Sequence, residues 1–461
     1  MTFSSIEFLF LFLPVALTGY YACPRKFRNL WLLVCSLLFY AWGEPTFVLV
    51  MIGSIVFNYA MALTVEASVG RLHRLLLAVA VVCNLCLLGG YKYLNFITAT
   101  LRNWFPGLQG VVPQTSVLLP IGISFFSFQT ISYLVDVHRG VVKAQRNPLK
   151  FALFIAFFPQ LIAGPIVRYV QICRQIDFRR ETIDGFSRGV FRFLVGLNKK
   201  ILIANVLGVV VQRSFCVESF GCDMSWLGAI SFAGQLYFDF SGYSDMAIGL
   251  GLMFGFQLPE NFDHPFASRT VGEFWRRWHM TLTAWFRDYV FFAVDGRCFG
   301  RFRLAFKVML VWSLTGLWHG AEWTFLIWGA MFGMLMLVER WLRVERRLVR
   351  AGGVVRALSV FLVFLVFVLG SVLPHAGSLS MAGSFYRTMF DLSAVSGESL
   401  FWIREYWYVF LAAAIGSFPV WKGVRSRVLL AAGYAVQLVL AIVSVMSLLM
   451  ENNNPFLYFA F

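Results

Sequence analysis

Two histidines stand in apolar surroundings: His279 in FWRRWHMTLTAWFRD (274–288) and His319 in LTGLWHGAEWTF (314–325). An imidazole, with an unperturbed pKa of about 6.5, can take a proton from a hydroxyl near neutral pH. Two of them, near intramembrane carboxylates, offer a general base in a site from which water is excluded. A plainer reading of His319, an interior histidine bonded to a backbone carbonyl, stays open. Glu322 follows His319 by three residues, and the two could share a helix face and hold a metal. A zinc site needs three protein ligands, however, and the sequence has neither HExxH nor clustered cysteines, so no metal is expected.

A second polar group interrupts LYFDFSGYSDMAIG (236–249), which carries Asp239, Ser241, Tyr243 and Asp245. Asp239 and Tyr243 are four apart, as are Ser241 and Asp245, so each pair shares a face if the segment is helical. Gly242 and Gly249 allow either close helix packing or a local break. Polar groups within lipid are costly unless paired, and they mark a pathway or a site. The carboxylates would orient the histidines or line a polar path, with a purely structural role equally open. Around His279, Trp275, Trp278 and Trp285 with Arg276, Arg277 and Arg287 read as an interfacial helix whose aromatic side faces lipid.

What must position these residues is a membrane fold. The chain has 461 residues, 59% hydrophobic and only 13% charged, too apolar to hide in one soluble core. Its successive apolar stretches of roughly 15 to 25 residues suit spanning helices rather than barrel strands. The expectation is an all-α integral membrane protein of about a dozen spans, a single domain over residues 1–461. FLFLFLPVALTGYY (8–21) is preceded by no basic residue and followed by PRKFR, so it reads as a retained first span and not a cleaved signal. Basic loops, among them Arg139 to Lys150, Arg168 to Lys200, Arg269 to Lys307, Arg340 to Arg356 and Lys422 to Arg427, can all lie on the cytoplasmic side. The net charge of +16 follows from that topology and from anionic membrane lipids, and calls for no nucleic acid. The polar segments Arg168 to Lys200 and Pro259 to Arg303 read as helices lying in, or re-entering, the interface. Cys83 and Cys86 read as small buried residues on one helix face.

Other chemistries find little support. GFSRG (185–189) matches the nucleophile-elbow pattern but lies in a basic juxtamembrane segment with no strand before it. No GxxxxGK phosphate loop occurs, and none of the six histidines is followed at the fifth position by aspartate, so the HxxxxD pattern of soluble-type glycerolipid acyltransferases is missing.

Three blocks carry a resemblance: ENFDHPF (260–266), EFWRRWHMTLTAWFRDYV (273–290) and GLWHGAEWTFLIWG (316–329). They resemble the signature blocks of the membrane-bound O-acyltransferase family, and within it the bacterial alginate O-acetylation branch. LPIGISFFSFQTISYLVDVHRG (119–140), FFPQLIAGPIVR (157–168), YFDFSGYSDMAIGLGLMFGF (237–256) and NPFLYFAF (454–461) extend the resemblance along nearly the whole chain. It implies a ring of tilted helices around a tunnel, with cytoplasmic re-entrant helices. His319 is implied as the principal catalytic residue and His279 as the second. Asp239, Ser241, Tyr243, Asp245, Asn261, Trp318 and Glu322 become candidates to line the tunnel, and Arg276 and Arg277 candidates to hold donor phosphates.

The activity implied is O-acetyl transfer at a bacterial inner membrane. A cytoplasmic thioester, acetyl-CoA, supplies the acetyl group, which crosses the membrane to an exported polysaccharide such as alginate or cellulose through a periplasmic acetyltransferase, with no bound cofactor. Peptidoglycan is the alternative acceptor. From another class, a polysaccharide or lipid-linked sugar exporter could use the same intramembrane charges, though the chain lacks repeat symmetry and has both histidine blocks. The chain departs from its relatives' frequent pattern at FAVDGR (292–297), at Phe332 where a further histidine is common, and at GSVLPH (370–375). The first and last departures bear on acceptor and partner.

Overall fold

The computed structural model describes residues 1–215, 221–294, 300–349, 351–419 and 427–450. They form helices and connecting turns, with no strand among the described residues. Six helical stretches among them are long and apolar enough to cross a membrane: Phe47–Ala67, Gly70–Trp104, Ile183–Phe215, Trp323–Trp341, Gly353–His375 and Ala431–Met450. Phe8–Ala22 and Trp407–Gly416 are shorter apolar helices. Helices satisfy every backbone group within the segment, as a hydrocarbon solvent demands. The protein is an all-helical, multi-pass membrane protein. The Lys422 to Arg427 loop, most of the FAVDGR segment's end and the C-terminal NPFLYFAF lie largely or wholly outside the described residues.

The chain divides into two compact units, Met1–Phe193 with Met246–Pro259, and Leu194–Asp245 with Glu260–Phe461. In the first unit, Asn84 reverses one expectation. Asn84 and Asn58 exchange amide hydrogen bonds at 2.7 and 3.1 Å, and Thr130 donates to Asn84 at 3.2 Å. Pairing these amides turns Ala80, Asn84 and Leu88 inward. Cys83 and Cys86 are therefore exposed rather than buried, on the apolar outer side of the same helix. The serine of GFSRG lies inside the helix Ile183–Asn198, so there is no strand-to-helix elbow. That helix also begins the candidate span Ile183–Phe215.

The second unit holds the residues of interest on six helices, labelled here in chain order: α1 (Cys222–Met253), α2 (Val271–Arg277), α3 (Met280–Phe286), α4 (Arg301–His319), α5 (Trp323–Trp341) and α6 (Gly353–His375). α1 runs unbroken for 32 residues, so Gly242 serves packing and not a break. A Cβ added there would lie 2.7 Å from the Gly196 carbonyl oxygen. α4 and α5 form a hairpin whose backbones touch. A Cβ at Gly316 would lie 2.2 Å from the Phe325 carbonyl oxygen, and one at Gly329 would lie 2.3 Å from that of Trp312.

α2 and α3 depart from the expected interfacial helix. The segment is broken between Trp278 and His279, and its tryptophans face the protein: Trp275, Trp278 and Trp285 are all at most 5% exposed. Ring centroids separate Trp275 from Trp312 by 4.8 Å and from Phe332 by 5.0 Å, and Trp278 from Phe367 by 5.0 Å. Aromatic pairs at such distances add to the gain from burial, and here they bind α2 to α4, α5 and α6. Phe332, where relatives often have a histidine, is a wall of this cluster.

Candidate active site

His279 sits at the junction of α2 and α3, with a left-handed backbone (φ 43°) that a non-glycine residue rarely adopts. The preceding loop braces it on both sides. The Asp263 amide donates to the Arg277 carbonyl at 3.0 Å, and the Met280 amide donates to the Asn261 carbonyl at 2.9 Å. The local strain is thus held by the ENFD segment pairing with the ends of the two short helices, a pattern common where a side chain must be aimed.

Asn261, fully buried, then orients the ring. Its side-chain carbonyl accepts from the Thr281 hydroxyl at 2.9 Å and from the Thr281 amide at 3.4 Å, while its NH₂ meets the Ser244 hydroxyl at 3.1 Å. A backbone amide can only donate, so the corner of Asn261 facing Thr281 is its oxygen. That same oxygen lies 3.0 Å from Nδ1 of His279, so Nδ1 carries the proton and Nε2 the lone pair. His279 is 1% exposed. Burial, and secondarily the neighbouring His319, push its pKa well below the ordinary imidazole value, which keeps the ring neutral.

His319 is the last residue of α4, and its Nδ1 donates to the Thr315 carbonyl at 2.7 Å. The helix end thus sets the same tautomer as at His279, and leaves Nε2 as the basic nitrogen. Trp318, 3% exposed, stands between the histidines with ring centroids 4.9 Å from His319 and 5.9 Å from His279. Both histidines line one cavity of about 250 Å³, otherwise walled mainly by apolar groups such as Trp275, Leu282, Phe286 and Val311.

Arg276 and Arg340 line the same cavity and also a neighbouring one of about 460 Å³, to which Arg343 and Arg346 contribute. Arg276 is tied to Glu345 at 2.9 Å. Within that region the Glu339 carboxylate accepts the Val271 and Gly272 amides at 2.6 and 2.9 Å and so caps α2. Arg277 is placed differently: it pairs with Glu273 at 2.8 Å and lines neither cavity.

Asp239, Ser241, Tyr243, Asp245 and Glu322 are not among the residues that line the histidine cavity. Asp239 pairs with Lys200 at 2.7 Å, with both side chains at most 4% exposed, and Asp245 pairs with Lys199 at 2.7 Å. The two lysines begin a π-helical turn, Lys199–Asn205, that presents them to α1. Neither carboxylate lines the histidine cavity. Ser241 and Tyr243 are buried on α1 and also lie off that cavity. Glu322 is exposed in the turn between α4 and α5, where the Thr324 hydroxyl donates to it at 3.3 Å. Since α4 ends at His319, the two residues share no helix face, and no group of three or more metal-binding side chains occurs among the described residues.

Sequence reading missed Thr281, Arg340 and both lysines. The lysines had a signal: two carboxylates in a span call for two cations, and the chain supplies the KK dipeptide.

The fold and this site define a helical membrane protein with a paired-histidine cavity suited to acyl transfer. Comparison with known proteins gives the class its name: residues 114–374 match the family described as MBOAT, membrane-bound O-acyltransferase family, and the chain belongs to it. It is an O-acyltransferase. The chain is 44% identical to the probable alginate O-acetylase AlgI of Pseudomonas aeruginosa, over 85% of this chain and 75% of that protein. It is 39% identical to the protein of the same name from Pseudomonas putida over the whole of both chains. A peptidoglycan O-acetyltransferase of Helicobacter pylori is 35% identical over 74% of this chain and 70% of its own length.

Proposed function

We propose that this protein is a bacterial inner-membrane acetyltransferase that takes an acetyl group from acetyl-CoA at the cytoplasmic face and passes it outward for O-acetylation of an exported polysaccharide of alginate type. A periplasmic acetyltransferase completes the transfer to sugar. The observation that carries the reading is the cavity of about 250 Å³ that holds both histidines and shares Arg276 and Arg340 with a cation-rich neighbour. Arginines of this kind suit the phosphates of coenzyme A, and the apolar stretch before the histidines suits its uncharged arm. The acceptor is read from the alginate O-acetylases that resemble the chain over most or all of its length. Peptidoglycan is the second reading, supported by the Helicobacter pylori relative.

In this mechanism Nε2 of His319 adds to the thioester carbonyl, the C–S bond breaks and the coenzyme leaves as thiolate. The acceptor hydroxyl then attacks the acetyl-imidazole and gives up its proton to Nε2 of His279, regenerating free His319. In the direct variant, Nε2 of His319 takes the hydroxyl proton as the oxygen attacks the thioester. The test is acetyl-CoA turnover by protein in lipid nanodiscs, with and without an acceptor on the opposite face. Wild type should release coenzyme A, and His319→Ala should lose about 10²- to 10⁴-fold. Equal turnover in folded wild type and His319→Ala would sink the assignment.

A further inference from the structure

Away from the histidines the second unit holds a cavity of about 370 Å³ that shares no lining residue with theirs. It is a groove between α1, α6 and the helix Trp407–Gly416, with Phe238 and Phe266 among its walls. Ala357 and Phe361 of α6 and Ala414 of the shorter helix line it and are exposed, so it opens on a surface that faces hydrocarbon.

Its two ends differ. At one end Phe410 packs with Trp402 and Tyr406 on Val210, Met224 and Leu227, and Leu227 stands one helical turn before Ser231. At the other, a Cβ on Gly416 would lie 3.1 Å from the Phe238 ring. The groove therefore runs from Ser231 and Phe410 toward Ser417 and Phe418. A serine inside a helix can satisfy its hydroxyl on the carbonyl one turn back, and Ser417 does so on Ala413 at 2.7 Å. Ser231 does not: it is 1% exposed and its hydroxyl has no hydrogen-bond partner among the described residues. A buried hydroxyl left unpaired beside hydrocarbon is costly. Water does not suit it, since a buried water takes two to four polar partners and the other side chains at that end, Leu207, Ile230 and Phe410, supply none. Trp407 and Tyr408, exposed at the same end, are residue types that mark a membrane interface.

From this we infer that the groove binds one chain of an ester-linked phospholipid, whose ester carbonyl accepts from Ser231 and whose acyl tail lies along Phe238 and Phe266 toward Phe418. A phospholipid carries its ester carbonyls just inside the interface, where the exposed aromatic pair sets Ser231, and its tail needs no partner in an apolar trough. At about 10 to 15 Å³ for each water-sized position, the space takes roughly 25 heavy atoms or more, enough for a long acyl chain with its ester. Phe266 belongs to the loop that carries Asn261, and its ring centroid is 6.4 Å from that of Trp278. The bound chain thus rests against the back of the loop that braces His279. The inference is independent of the thioester reading above.

The experiment places the protein in nanodiscs with phosphatidylglycerol bearing a diazirine in its tail, and maps the photo-crosslinks by mass spectrometry. Labelling of segments 357–364 and 410–418 should stand well above that of the exposed face of Leu72, Leu75, Val79 and Val82, which reports ordinary contact with bulk lipid. Ala413→Trp, which fills the groove, should remove the excess. If that variant does not fold, Ala357→Trp fills it from the opposite wall. Replacing the ester probe by its ether-linked analogue, or Ser231 by alanine, should each weaken retention about 3- to 10-fold, as loss of one hydrogen bond does. Groove labelling no higher than on the control face, or unchanged in a folded filled variant, overturns the site. Ester and ether lipids held equally by wild type, or a free fatty acid or isoprenoid lipid recovered from the purified protein in place of phospholipid, overturns the assigned ligand.

Discussion

The side-chain oxygen of Asn261 lies 3.0 Å from Nδ1 of His279, and this contact decides which nitrogen of a buried imidazole is basic. Asn261 cannot turn over to offer its NH₂ instead, because the Thr281 hydroxyl and amide donate to the same oxygen. The loop that carries Asn261 also braces the left-handed backbone of His279. Position, ring orientation and tautomer therefore have one source.

Asn261→Ala should lower kcat about 10²-fold with a much smaller change in KM for acetyl-CoA, since it removes the group that fixes the base and not one that binds donor. Asn261→Asp keeps an acceptor at the same place and should retain more activity than the alanine variant. Steady-state kinetics in nanodiscs will decide, and a kcat in folded Asn261→Ala equal to wild type would remove this residue from the mechanism.

His279 also predicts a pH dependence of stability. Its folded pKa is held below the unfolded value of about 6.5, so the folded state binds fewer protons than the unfolded one between those values. The stability tied to neutral His279 is complete above about pH 6.5 and declines as pH falls toward the folded pKa. Relative to His279→Gln, wild type should lose its thermal-stability advantage between pH 7.5 and 5 (roughly one unit above and more than one below the unfolded pKa). A gap that stays constant or widens on acidification contradicts this.

Lys200 and Asp239 form a buried pair, and each alone would be a charge left in a low-dielectric interior. Lys200→Met or Asp239→Leu should each destabilise by about 3 to 5 kcal/mol, and the double variant should recover most of the loss. Thermal unfolding in detergent micelles measures all three. A double variant no better than the worse single one would argue against a mutual pairing role.

Gly316→Ala forces a Cβ to within 2.2 Å of the Phe325 carbonyl oxygen, at the point where α4 meets α5. We expect a loss of about 1 to 3 kcal/mol and reduced turnover, because the hairpin that holds His319 must open. Gly383, inside the helix Leu379–Phe390, has nothing within 4 Å of an added Cβ. Gly383→Ala should be neutral or stabilising by up to about 1 kcal/mol, which makes it the control for backbone effects.

By itself, the sequence determined the solvent and the chemistry. Apolar length announces spans such as Phe47–Ala67 and Gly353–His375, since a helix must be about that long and that greasy to cross hydrocarbon. The FWRRWH and GLWHG blocks mark the histidines because such residues are rare in apolar company. What the sequence left undecided was direction. Trp275 and Trp278 have the composition of an interface belt, and only the rings of Trp312, Phe332 and Phe367 arriving from other helices turn them inward. From sequence Cys83 and Cys86 read as buried, because nothing local says that Asn84 on the same helix will find Asn58. For Asp239 and Asp245 the spacing leaves orienting the histidines, lining a polar path and a structural role equally open, and only the fold shows that a π-helical turn sets Lys200 and Lys199 opposite them. Glu322 shares no helix face with His319 because α4 ends at His319 and the next helix starts only at Trp323. In each case spacing gives the face of one helix, but the partner of that face comes from residues distant in the chain, and only tertiary packing selects it.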